Sequence, residues 1–129
     1  MDIVGDKPIY VQISEWLENE ILCGNIKENK KIYSQYQLAE MFNINPATAA
    51  KGINILADQN ILYKKRGLGM FLAANAKEKI QYRRKNYTLK RLVDEVVVEA
   101  RRLGVHEGEL ISMMRDAKKE LDEHERQGG

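Results

Sequence analysis

Cysteine, proline and aromatic residues are all scarce in this chain. A single cysteine, Cys23, among 129 residues excludes an internal disulfide and any cysteine-built zinc site. It lies near the end of an amphipathic stretch, so a buried or half-buried thiol is expected. The two prolines, Pro8 and Pro46, leave the rest of the chain free to be helical. With one Trp, two Phe and six Tyr the core must be modest. An aromatic platform for stacking single-stranded bases is also missing beside the basic groups, Tyr82 and Tyr87 apart. No apolar run approaches the ~20 residues that span a bilayer, and the opening MDIVGDK lacks the basic-then-apolar layout of a secretory leader. A cytoplasmic protein with no membrane partner is expected. His106 and His124 show no metal-ligand spacing with Cys23 or with each other, and no nucleophile–base pair is visible. Gly67-x-Gly69 lacks the third glycine and the Lys-Ser/Thr of a phosphate loop. No metal, no cofactor and no enzymatic activity are expected.

What is present is charge, unevenly placed. The formal net charge is only +2, yet residues 64–91 carry ten basic side chains against Glu78 alone, a block of +9. The segments on either side are net acidic, at −3 and −4. A generic solvated surface mixes signs, whereas a block of one sign suits a polyanion.

The stretch SQYQLAEMFNINPATAAKGINILADQNILYKKRGLGMF, Ser34 to Phe71, carries the organisation. Ser34 is a good N-cap for a short helix whose apolar face is Leu38, Ala39 and Phe42. Asn43-Ile44-Asn45 breaks that pattern; Asn45 can cap the next helix, and Pro46 opens it. In this second helix Ala49, Ile53 and Leu56 face inward and Gly52 allows close approach, leaving Ala47, Thr48, Ala50, Lys51 and Asn54 outside. Ile61–Lys65 and Met70–Leu72 read as strands around a basic, glycine-hinged tip, Arg66-Gly67-Leu68-Gly69. Upstream, Pro8 to Gly24 reads as a helix with Ile9, Ile13, Leu17 and Ile21 stepped four apart and Trp16 packed beside them. Lys31-Ile32-Tyr33 is a short extended piece. The whole is a helix-turn-helix followed by a wing.

Beyond the wing, one long helix is expected from Ala76 to Leu103, stopped by Gly104, and a last helix from Glu109 to about Glu123 with the end HERQGG frayed. Leu89, Val93, Val96, Ala100 and Leu103 form one apolar seam; Leu110, Met114, Ala117 and Leu121 form a second. Two such stripes cannot make a core by themselves, so a homodimer formed through these residues is expected. The fold class is mainly α (α+β): a winged helix-turn-helix domain over residues 1–75, then a two-helix C-terminal dimerisation segment over 76–129.

The ordered set of leading helix, helix-turn-helix and KKRGLG wing, from about Pro8 to Phe71, resembles the GntR family of bacterial transcription regulators; NPATAAKG and the short tail are similar to its YtrA-like branch. The resemblance implies a repressor of double-stranded operator DNA, in this branch often of a transporter operon. It also implies that Lys31–Tyr33 pairs with the wing. Most of the family carries a sizeable effector domain, whereas fewer than sixty residues follow this wing, so the effector, if one exists, is unknown. Within that reading Ala47, Thr48 and Lys51 face the major groove, and Ser34 and Tyr36 touch the DNA backbone. Asn45 sets the recognition helix, whose first amides are expected to be free for a phosphate. Lys64, Lys65 and Arg66, with Gly67 and Gly69 between and behind them, form the contacting wing. Positions matching Tyr36, Pro46 and Ala50 often carry arginine elsewhere in the family, so its operator code does not transfer. A winged-helix module for protein contact, or a non-specific nucleic-acid binder, is the alternative.

Overall fold

The computed structural model describes residues 5–128; residues 1–4 and Gly129, and with them the outermost ends of both expected segments, lie outside the described residues. The order of elements is α1 (Ile9–Leu22), α2 (Gln35–Phe42), α3 (Pro46–Asp58), β1 (Leu62–Lys65), β2 (Gly69–Leu72), α4 (Ala76–Arg83), a π-helical stretch (Arg84–Leu89), α5 (Lys90–Leu103) and α6 (Glu107–Gly128). They form two compact units, Met1–Arg84 and Lys85–Gly129.

The first unit is a three-helix cluster with a hairpin against it. Ile13, Leu17 and Ile21 of α1, Leu38 and Phe42 of α2, and Ala49, Ile53 and Leu56 of α3 close one core with Leu62 and Leu72 from the hairpin. Each fully buried Ile or Leu contributes roughly 1.5–3 kcal/mol of transfer free energy. The contact of α1 with α3 depends on Gly52, where an added Cβ would stand 2.8 Å from the Tyr10 carbonyl oxygen and 3.0 Å from Ile13. Trp16 packs edge-on to Phe42, with ring centroids 5.1 Å apart, and against Tyr33 at 5.6 Å. The strands pair antiparallel with Leu62 opposite Leu72 and Lys65 opposite Gly69. Lys31 bridges Phe71, the Ile32 amide donates to the Met70 carbonyl at 2.9 Å and the Leu72 amide to the Lys30 carbonyl at 2.9 Å, so the segment before α2 adds a third strand-like edge.

Four helices end in one way. Gly24, Asn43, Asn60 and Gly104 sit at positive φ, and the next residue's amide bonds five back: Asn25 to Glu20, Ile44 to Ala39, Ile61 to Leu56, Val105 to Ala100. This is the Schellman pattern, which satisfies carbonyls that a helix end leaves open. Asparagine does the work of glycine at two of the four because its short polar side chain tolerates the left-handed region.

Several expectations are corrected here. Cys23 is exposed, because it caps α1 two residues past Ile21, off the buried stripe. Ile9 is 43% exposed; the stripe of α1 turns inward only from Ile13. The single long helix from Ala76 to Leu103 is interrupted by the π-helical stretch, in which no residue is buried. The first compact unit runs to Arg84 rather than to residue 75, because Ala76 and Ile80 of α4 are fully buried in its core. In the second unit α6 starts at Glu107 and continues to Gly128, through the stretch expected to fray.

In that second unit Ala100 is the only buried residue of α5, and no residue of α6 is buried. Leu89, Val93, Val96, Leu103, Met114, Ala117 and Leu121 are exposed and Leu110 half-buried. The polar faces carry the pairs Lys90–Asp94, Arg91–Glu95 and Lys118–Asp122, all one helical turn apart.

Candidate nucleic-acid interface

The turn between α2 and α3 is built by side chains that bond to their own backbone. Ser34 and Gln37 form a capping box: the Gln37 amide donates to Ser34 Oγ at 3.1 Å, and the Ser34 amide to Gln37 Oε1 at 2.8 Å. Ser34 keeps its hydroxyl proton for a further acceptor, and Tyr36, two residues on, is 69% exposed. Asn45 Oδ1 accepts the Ala47 amide at 2.8 Å. The Thr48 and Ala49 amides both go to the Asn45 carbonyl, and Pro46 has none. The expectation of free amides at the start of α3 is therefore corrected: that end offers its dipole, not open donors.

The outer face of α3 divides into two edges. Lys51 Nζ lies 4.2 Å from the centroid of the Tyr10 ring, so this lysine leans toward α1. Ala50 and Asn54 turn the other way and line a groove with Lys31, Gln35, Lys64 and Met70. Ala47 is exposed and Thr48 half-buried between the two edges.

The hairpin supplies the opposite wall. Because side chains alternate along a strand, Lys64 and Met70 face the groove, while Lys65 lies back over Phe71, 4.4 Å from its ring, which stacks on Tyr63. Tyr63 is tied to Asn29 Oδ1 at 3.2 Å. Arg66, Gly67 and Leu68 form the tip, closed by the Leu68 amide on the Lys65 carbonyl at 2.9 Å. Gly69, at φ 113°, leaves room for Lys31, whose Cε would stand 2.9 Å from a Cβ there.

The +9 block does not form one surface. Arg83 pairs with Glu18, which is 6% exposed, and bonds to Gln59. Arg84 Nη1 donates to Asn19 Oδ1 at 2.7 Å, and Lys79 donates to the Asn60 carbonyl. Burial, then the charge of Arg84 beside it, lowers the pKa of Arg83 from its ordinary value. These residues dock α4 on α1 and α3. Among the described residues, Lys31, Lys51, Lys64, Lys65 and Arg66 make no ion pair. Lys31 and Gln35 were not among the residues expected at the interface, and Asn54 was expected only on the outer face of its helix. The pairing of Lys31–Tyr33 with the wing was the signal that could have placed Lys31 there.

No family model matches the chain. It does superpose on the solved structure of a GntR-family protein from Bacteroides thetaiotaomicron with a TM-score of 0.72 and 30% identity, covering 88% of this chain and 99% of that one. The chain belongs to the GntR family of transcription regulators. This GntR-family chain is 29% identical over 105 residues to the transcriptional repressor YtrA of Bacillus subtilis, 81% of this chain and 80% of YtrA. So long a match cannot fit inside Met1–Arg84, so the likeness continues into the second unit. The chain is also similar to the AraR DNA-binding domain solved in complex with an operator: TM-score 0.53, 28% identity, 57% of this chain and 95% of that one. Another curated relative, the repressor NagR of Bacillus subtilis, is 32% identical over 66 residues, and there the chain spans only 27% of the relative's length. Among the described residues, no helix is long and apolar enough to cross a membrane.

Proposed function

We propose that this chain is a cytoplasmic repressor that binds an inverted-repeat DNA operator as a homodimer. The groove between α3 and the hairpin carries the reading: it is open, has Lys31 and Lys64 on its walls, and holds no neutralising carboxylate. In this reading α3 enters the major groove, with Ala47, Thr48 and Lys51 toward base edges. The wing residues Lys64, Lys65, Arg66, Gly67 and Gly69 take phosphates, and Ser34 and Tyr36 the backbone beside them. The chain acts by binding rather than by catalysis, in keeping with relatives that are transcription regulators.

Residues up to Arg84 form the DNA-binding unit and the remainder the dimerisation segment. The support for the second role is the exposed stripe of Leu89, Val93, Val96 and Leu103, with Leu110, Met114, Ala117 and Leu121 on α6. An apolar face of this extent is covered in solution, and a self-complementary stripe is covered most simply by a second copy. Binding to full and half inverted repeats, with sedimentation of the free protein, tests both parts. A dimer that prefers the full site by orders of magnitude is expected; a monomer with equal affinity for both would overturn the assembly.

A further inference from the structure

The outward face of α3 carries four polar side chains, Thr48, Lys51, Asn54 and Asp58. Asn45 is held by the Ala47 amide, and Lys51 lies over Tyr10. The Asp58 carboxylate offers acceptors only; Thr48 and Asn54 remain, and of these only Asn54 carries a donor and an acceptor side by side. It is exposed, has no hydrogen-bond partner among the described residues, and lines the groove opposite Lys64, four residues on from Ala50. Ala50 is small, so nothing on the preceding turn of that edge stands between the amide and whatever occupies the groove. A carboxamide presented on a helix to the major groove matches adenine, donating to N7 while its oxygen accepts from N6.

We propose that Asn54 is a specificity-determining residue that reads an adenine in each half-site, with Lys64 across the groove holding the adjacent phosphate. The proposal rests on the regulator reading above and names the chemistry of its recognition. The family resemblance puts the readers at the start of α3; the structure moves the strongest one to its third turn, beside the wing.

The test is selection from a random duplex library with the full chain, in wild-type, Asn54→Ala and Asn54→Asp forms, and with Lys64→Ala for comparison. The wild type should enrich one adenine at a fixed position in each half-site, and Asn54→Ala should lose that preference alone, by about five- to a hundredfold, with an unchanged salt slope. Asn54→Asp, which can only accept, should shift the position toward cytosine. Lys64→Ala should weaken all sequences alike and flatten the salt slope. Replacing the selected adenine by 7-deazaadenine should weaken the wild type and leave Asn54→Ala unaffected. An Asn54→Ala motif identical to the wild-type motif would overturn the inference and leave the regulator reading standing; a wild-type chain that enriches no sequence would overturn both.

Discussion

At the scale of single residues, neighbouring lysines have different work. Lys64 faces the groove, Lys65 rests on Phe71, and Lys51 rests on Tyr10. Replacing Lys64, Lys65 and Arg66 together by alanine should weaken binding to every duplex and reduce the slope of log affinity against log salt, by about one unit for each phosphate no longer neutralised. An unchanged slope, read by fluorescence anisotropy across a salt series, would remove the wing from the interface. Lys51→Met should register in folding as well as in binding, by about 0.5–1 kcal/mol of stability, because the cation over Tyr10 is removed while the aliphatic stem is kept. Gly52→Ala is the severe change. Its Cβ would press on the Tyr10 carbonyl, which is backbone, so α1 must move off α3 at a cost of about 1–3 kcal/mol. Urea unfolding of both variants checks these two values.

At the scale of elements, the docking of α4 on α1 includes one ion pair with a buried member. Glu18 is buried, whereas its partner Arg83 keeps a third of its side chain in solvent. Removing the arginine strands a buried carboxylate; removing the carboxylate leaves Arg83 partly in solvent and still bonded to Gln59. Arg83→Ala should therefore cost more than Glu18→Ala, about 2–4 against about 1–2 kcal/mol, and the double variant less than their sum. A double-mutant cycle by urea unfolding reads the coupling, and strict additivity would mean that the Glu18–Arg83 pair adds nothing to the docking of α4. The π-helical stretch, in which no residue is buried, follows directly.

At the scale of the whole molecule, the proposed dimer turns on the exposed seam of α5, and Val96 lies in its middle at 43% exposure. Val96→Asp would bury a pair of like charges about the two-fold axis, costing several kcal/mol in the dimer. The variant should sediment as a monomer, keep the thermal transition of its winged unit, and bind a full operator about as weakly as a half-site. A Val96→Asp protein that stays dimeric and holds its operator normally would place the interface elsewhere.

The winged helix-turn-helix was legible in the sequence because its determinants are local. Ser34 and Asn45 cap helices, Pro46 opens one, Ala49, Ile53 and Leu56 repeat at the helical period, and Arg66–Gly69 can only turn. Capping, periodicity and positive φ act within a few residues, so neighbouring letters suffice to reveal them. Charge was not local in this sense. The +9 block is a real property of residues 64–91, yet folding takes Arg83 and Arg84 to α1 and leaves Lys64 on the groove, where Lys31 joins it from outside the block. The same holds for the exposure of Cys23, for the split of Lys51 from Asn54 and for the unit boundary at Arg84. Each depends on which surface another element covers, and only tertiary packing decides that, because the partners lie tens of residues apart in the chain.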